Sequence, residues 1–449
     1  MPDDPAANSW VSLYSAHFEA WEQRFADACS ACGVDGAVVF SGGVKYRHRD
    51  DLEYPFFAEP YFKAWVPYAY PDAVLRVVPG ETPLMVYLCD ESFWHMPAPK
   101  PRGFWTDRFE IRSVATREAL VKELGAVSRL AGIGDEARKE TGFASVNDPL
   151  LLSHLDYFRA FKTPYEVACL EEANRVGALG HAATQRTLSG EPSEFELNEI
   201  YCRASGQRES SLPYQNIVAL NEHAAVLHYQ NLDRQAPGQF RTFLLDAGGD
   251  CNGYASDITR TCSPPGDPFG DLIDSLDAMQ RQLCEEARPG LSYVSLHERA
   301  HQLLAEVLAE HGITRCAADE ALDRGITRTF LPHGLGHLLG LQVHDAGGRL
   351  EAPGGAERAP PAEHPFLRLT RTLEPGFVVT IEPGLYFIPA LLEDLRQRAA
   401  GRSVDWECVA RWLPYGGIRV EDDVLVTENG SRNLTRPALK SAGIGAGAD

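Results

Sequence analysis

The stretch Phe243-Leu-Leu-Asp246-Ala-Gly-Gly-Asp-Cys-Asn-Gly-Tyr-Ala-Ser-Asp257-Ile-Thr259-Arg-Thr261 constrains this chain more than any other. An apolar, strand-like run from Phe243 to Leu245 ends in an acid. Gly248-Gly249 and Asn252-Gly253 are strong turn signals, and Tyr254 to Thr261 is a return strand rich in β-formers. The pattern predicts a tight hairpin with Asp246 and Asp257 on neighbouring strands, pointing into one space. Two ionised carboxylates repel at close range, and burying both is costly unless a cation neutralises them or one is protonated.

Partners for these acids follow downstream. They are His333-Gly-Leu-Gly-His337, then His344, then Ile381-Glu382-Pro-Gly384, then Gly416-Gly-Ile-Arg419-Val-Glu421-Asp422. Gly334 and Gly336 argue against a helical histidine pair, so one of the two histidines suffices as a ligand. Two acids, a histidine and two further acids, each on a short strand or beside a glycine turn, form a ligand set for two divalent ions. Four carboxylates formally balance two M²⁺ ions and leave a bridging water easily ionised to hydroxide. The set is hard and oxygen-rich, which suits Mn²⁺, with Co²⁺ or Zn²⁺ also able to fit. A lone Asp or Glu usually faces solvent. Five such positions embedded in apolar, glycine-flanked segments do not fit that account.

At 449 residues the chain is long enough for two domains. A formal charge of −21 argues against a nucleic-acid partner and against an anionic membrane surface. No run of about 18 apolar residues is present, and the first residues lack the positive start and apolar core of a signal peptide, so a cytoplasmic location is expected. The ten cysteines are scattered except for Cys29-Ser-Ala-Cys32, which falls at the end of an expected helix from Trp21 to Ala31 and reads as helix rather than redox pair.

Residues 10 to 32 have helical periodicity, and a strand from Ala37 to Phe40 follows. Further strands are expected at 74–78, 83–88 and 130–133, with a helix from Arg117 to Leu130. These predict an amino-terminal α/β domain, residues 1–160. Thr163-Pro-Tyr-Glu166 is a capping box that opens a long helix to about Leu188. Ser193-Glu-Phe-Glu196 repeats the device, as does Ser295-Leu-His-Glu298 for a helix ending at Gly312, and Asp267-Pro268 starts another that stops at Pro289-Gly290. Helices alternating with ligand-bearing strands predict an α+β second domain, residues 161–449, with a curved antiparallel sheet covered on one face by helices. Gly347 to Pro361 reads as a surface loop.

Taken alone, His228 after an apolar run reads as a core histidine. Arg368 and Arg419 are candidate carboxylate clamps, since guanidinium matches that geometry with two hydrogen bonds. Arg419 lies two residues before Glu421 on one strand, so both should face one cavity. The aromatic segments Tyr54 to Trp65 and Phe93-Trp94-His95 are expected to serve packing, and Asp50-Asp51 a solvated turn.

At these motifs, with Val343-His344-Asp345 and Ile381-Glu-Pro-Gly-Leu-Tyr-Phe387, nearly the whole chain resembles the pita-bread metallopeptidases. The match is closest to bacterial prolidases (Xaa-Pro dipeptidases) and the organophosphorus acid anhydrolases similar to them. The resemblance implies that Asp257 and Glu421 bridge two metals, with Asp246 on one ion and His337 and Glu382 on the other. It implies substrate contacts from His228, His344, Arg368, Arg419 and Tyr214, with His333 behind the ligands. Glu382, His228 and His344 are the implied catalytic groups. Cleavage of Xaa-Pro dipeptides is the expected reaction, and hydrolysis of organophosphorus triesters at the same site is the alternative. A homodimer is implied, with the Asp50-Asp51 turn of the partner reaching the site and Trp94 lining the same pocket.

Overall fold

The computed structural model describes residues 5–89 and 93–444, and the chain divides into two compact units. The first holds the residues through Cys169, with Asn252–Tyr254 and Leu350–Glu357; the second holds the rest.

The first unit is built on a long helix, Pro5–Cys32, and a six-stranded mixed sheet. The strand order is Glu110–Val114, Leu84–Leu88, Ala73–Val77, Gly36–Phe40, Leu130–Ile133 and Ser145–Val146. The edge strands Glu110–Val114 and Ser145–Val146 carry too few apolar residues for periodicity to reveal them. The expected helix after Arg117 is shorter, ending at Glu123 with Thr116 as its side-chain cap. Tyr61, Phe62 and Trp65 are buried as expected. Tyr54, Phe57, Phe93 and Trp94 are exposed instead, the last two 89% and 77%, so the packing role predicted for those aromatics fails there. Cys29 is buried, and all ten cysteines are free.

Two of the capping boxes form as read: Thr163 with Glu166 ahead of Pro164–Thr187, and Ser193 with Glu196 ahead of Glu194–Ser205. The third does not. The Tyr293–Glu310 helix starts one turn earlier, leaving Ser295 inside it. Three antiparallel strands, Ile217–Leu220, Phe243–Asp246 and Thr259–Cys262, form one sheet with Phe243–Asp246 at its centre. Alternation divides its residues between two apolar clusters. Val218, Leu220, Phe243 and Leu245 pack with Leu197 and Tyr201, while Ile217, Ala219 and Leu244 pack with Tyr229. With both faces apolar, Asp246 can carry a charge only because it stands at the strand's end beside polar partners.

The predicted single hairpin is split. Asp250–Cys251 and Tyr254–Ala255 form a separate two-stranded ribbon, turned by Asn252 (φ 53°) and Gly253 (φ 86°), and Asp257 lies between that ribbon and the Thr259–Cys262 strand. Gly248 permits the split, since a Cβ there would meet the Ser256 carbonyl oxygen at 1.9 Å. A second antiparallel sheet, Val378–Ile381, Asp422–Thr427 and Gly430–Asn433, and a two-stranded pair, Gly384–Tyr386 with Gly417–Arg419, complete the framework. Among the described residues no helix is long and apolar enough to cross a membrane.

Candidate metal centre and substrate cavity

The site lies wholly in the second unit, where the two sheets are stitched together. Thr259 and Glu421 form an isolated antiparallel bridge, with the Glu421 amide donating to the Thr259 carbonyl at 3.1 Å. Thr259 also pairs in register with Asp246. Residues 335–338 run along the other edge: the Thr380 amide donates to the His337 carbonyl at 3.0 Å and the Glu382 amide to the Leu335 carbonyl at 2.8 Å. Gly336 allows this approach, since a Cβ would sit 2.2 Å from the Thr380 carbonyl oxygen. Backbone pairing alone thus gathers Asp246, Asp257, His337, Glu382 and Glu421 around one cavity of about 300 Å³.

Their side chains are close. One ligand atom each of Asp257, His337 and Glu421 lies within 4.8 Å of the others, and all three residues are buried. His337 Nε2 is 3.4 Å from Asp257 Oδ2 and 3.6 Å from Glu382 Oε1. Its Nδ1 faces the Leu338 carbonyl at 2.9 Å, which fixes the proton there and leaves the Nε2 lone pair turned toward the carboxylates. Glu421 Oε2 accepts from Thr259 Oγ1 at 2.6 Å.

The electrostatics follow from packing four acids together. Burial, with Asp246 close by, pushes the Asp257 carboxyl well above its usual range. Burial and the neighbouring acids do the same to Glu421, and they raise Glu382 to about 7 against the pull of His337. Tyr214 Oη lies 2.7 Å from Asp246 Oδ1 and 2.6 Å from Asp257 Oδ1, yet a hydroxyl has a single proton to share between two carboxylates. Negative charge is in excess, oxygen donors face inward, and a neutral imidazole nitrogen joins them. That is a donor set for hard or borderline divalent cations.

The remaining predicted residues fall into two groups. His228, His344, Arg368 and Arg419 line the cavity together with His333, and Phe366 adds an apolar wall. Tyr214 is absent from that lining, its hydroxyl being taken by the two acids. Arg419 is buried and committed: Nη2 donates to Asp246 Oδ2 at 2.6 Å, Nη1 to Tyr386 Oη at 3.0 Å and Nε to Thr259 Oγ1 at 3.1 Å. Its clamp therefore closes on Asp246, which the sequence reading did not foresee. Arg368 differs: it is exposed, and among the described residues no hydrogen bond or ion pair engages its guanidinium. His344 stands edge-on to His337 with ring centroids 4.4 Å apart.

The supporting roles of Tyr386, Asp423 and Asn174 went unnoticed in the sequence. Tyr386 Oη links Arg419 to His333 Nε2, 2.9 Å away, while His333 Nδ1 meets the Gly334 carbonyl at 2.8 Å; burial and the Arg419 charge hold that imidazole neutral, down to about 4. Buried Asp423 receives the Asp257 amide at 3.1 Å and Asn174 Nδ2 at 2.7 Å, fixing the backbone beneath a candidate ligand. A second acid beside Glu421–Asp422 gave no signal of its own. Asp422 itself is drawn away from the centre into ion pairs with Arg260 and Arg436.

A profile of metallopeptidase family M24 matches residues 168–428, and the chain belongs to that family. Residues 12–157 match the amino-terminal domain of Xaa-Pro dipeptidases, which gives the particular type within the family: an amino-terminal α/β domain followed by a pita-bread catalytic domain. The chain is 42% identical over 445 residues to an Xaa-Pro dipeptidase of Stenotrophomonas maltophilia, covering 98% of this chain and 99% of the relative. It is 44% identical over 430 residues to one of Xanthomonas campestris pv. campestris, covering 95% and 98%. Among solved structures it is similar in fold to Escherichia coli aminopeptidase P with the inhibitor Pro-Leu. There the TM-score is 0.68 and the identity 23%, covering 94% of this chain and 98% of that one.

Proposed function

We propose that this protein is a metal-dependent Xaa-Pro dipeptidase using two divalent ions, with Mn²⁺ the best match to an oxygen-rich donor set. One observation carries the reading: a buried carboxylate cluster with an inward-facing imidazole opens on the same cavity as an exposed, uncommitted arginine. The 42–44% identity to proteins named Xaa-Pro dipeptidase supports the substrate class. Asp257 and Glu421 would be shared by both ions, with Asp246 on one and His337 and Glu382 on the other. Ions held there would supply Lewis acidity, lowering the pKa of a water at the centre and offsetting charge that develops on the scissile carbonyl.

The chain supplies the rest. Glu382, whose carboxyl is raised toward neutrality by burial, is suited to take a proton from the attacking water and return it to the leaving proline nitrogen. That nitrogen carries no hydrogen in the peptide bond, so the proton must arrive as the bond breaks. His228 and His344 face the cavity and orient the substrate, and Phe366 offers an apolar wall. Arg368 binds the free carboxylate of the dipeptide. Arg419 and Tyr214 act as positioning residues, holding Asp246 and Asp257 in place.

We also assign a homodimer in the cytoplasm. Exposed Tyr46, Leu52, Tyr54 and Phe57 around the Asp50-Asp51 turn supply an apolar surface to cover, and ten free cysteines suit a reducing compartment. The test is a panel of Xaa-Pro dipeptides, Xaa-Pro-Yaa tripeptides and one phosphotriester, assayed on chelator-treated protein with and without Mn²⁺. Mn²⁺-dependent cleavage confined to dipeptides is expected. A phosphotriester as the better substrate would install the alternative, and metal binding without turnover would reduce the protein to a binding module.

A further inference from the structure

A second set of ligating side chains in the catalytic unit takes no part in the proposed reaction. His297 and His301 lie one turn apart on the buried face of the Tyr293–Glu310 helix, a spacing that stacks them on one side. His364 meets them from the segment that leads to Phe366 and Arg368. Ring centroids are 4.3 Å apart for His297–His364 and 4.7 Å for each of the other two pairs. One nitrogen from each ring lies within 4.8 Å of the others.

The polar accounting at this cluster does not close. His297 is 1% exposed, and among the described residues neither of its ring nitrogens has a hydrogen-bond partner. His301, also 1% exposed, engages Thr327 Oγ1 through Nδ1 at 3.1 Å, and its Nε2 has no partner among the described residues. Buried polar atoms are rarely left unmatched, and unpartnered nitrogens on two rings of a cluster that brings one nitrogen from each of three imidazoles within 4.8 Å call for an occupant. Burial and the adjacent imidazoles drive His297 down to about 2. Burial, His364 and the Arg328 charge drive His301 to about 3, and His364 is lowered as well. All three rings are neutral at physiological pH, with lone pairs to give. The donors are nitrogen throughout, unlike the carboxylate centre, and imidazole favours Zn²⁺, Ni²⁺ and Cu²⁺ over Mn²⁺ or Mg²⁺.

We propose that His297, His301 and His364 form a separate zinc-type site, with water as the fourth ligand reached past half-buried His364. Zinc–nitrogen bonds of about 2.0–2.1 Å require the three nitrogens to draw together, and His364, outside any helix or strand, is the ring able to move. Once bound, the ion ties the 364–368 segment to the Tyr293–Glu310 helix. Since that segment carries Phe366 and Arg368 into the cavity wall, zinc would stiffen the wall that meets substrate. The site stands whether or not the dipeptidase reading is correct.

The test uses the full-length protein saturated with Mn²⁺, then exposed to Zn²⁺, desalted and analysed for both metals. Wild type should retain one zinc per chain more than His364→Ala or His297→Gln, without releasing manganese, and both variants should hold wild-type manganese. Co²⁺ in place of Zn²⁺ should give the intense visible bands of a tetrahedral nitrogen site in wild type and lose them in His364→Ala. If His297→Gln fails to fold, His364→Ala decides alone, because that ring is half-buried and outside regular structure. Equal zinc uptake and equal Co²⁺ spectra in wild type and His364→Ala would overturn the site and leave buried water as the occupant.

Discussion

Replacing Arg368 with alanine tests the proposed reading of substrate length. A dipeptide ends in a carboxylate one residue past the scissile bond, whereas a tripeptide presents a neutral amide there. The cavity offers two arginines, and Arg419 already holds Asp246, Tyr386 and Thr259. Recognition therefore rests on Arg368. A hydrogen bond to a charged group contributes about 1.5–3 kcal/mol. Arg368 is exposed and stays hydrated when unpaired, so solvent screening trims that to about 1–2 kcal/mol, a factor of roughly 5–30. A buried arginine would have cost more. KM for an Xaa-Pro dipeptide should rise by that factor in Arg368→Ala with kcat little changed, and the preference for dipeptide over Xaa-Pro-Yaa should shrink equally. Steady-state kinetics on both substrates at saturating Mn²⁺, with metal content measured in parallel, supply the answer. An unchanged dipeptide-to-tripeptide ratio in kcat/KM would refute the assignment of Arg368.

Four further outcomes are expected. Asp257→Asn and Glu421→Gln should each lose bound metal and activity together; a variant keeping two metals and near-normal turnover would end the shared-ligand assignment. Glu382→Gln should cut kcat by about 10²–10⁴ at full metal loading, with KM far less affected, and an unchanged kcat would remove its proton-transfer role. Glu382 is raised from its ordinary 4.5 to about 7, so the folded chain keeps a proton that the unfolded chain has released across that window. Without cations, this contribution to stability is present below pH 4.5 and is lost as pH rises through about 7; cations compete with the same protons. The gap in Tm between Mn²⁺-loaded and chelated protein should accordingly widen from about pH 5 to pH 8, and a gap independent of pH would contradict it. Asp51→Ala should impair turnover in an intact dimer at unchanged metal content, and wild-type kinetics would make that turn plain solvated surface.

How much of this was legible in the chain depends on the range of the interaction involved. Period-two and helical patterning, capping residues and turn glycines act over a few residues, and they marked the strand ending at Asp246, two of the three capped helices and the α+β class. The ligand types were legible too, because burying Asp246 and Asp257 near each other demands a counter-charge wherever the chain runs. Ser295 shows the limit of local signals, since a good cap lost to a helix that tertiary packing started a turn earlier. The Arg419–Tyr386–His333 chain, Asp423 under the Asp257 amide and the meeting of His364 with His297 and His301 are pairings between segments remote in sequence. A chain shows what a side chain is able to bond, while only the fold decides which of several competent partners lies within about 3 Å, the distance at which hydrogen bonds act. Arg419 was a clamp in the sequence, and the register of two sheets chose Asp246 as the carboxylate it holds.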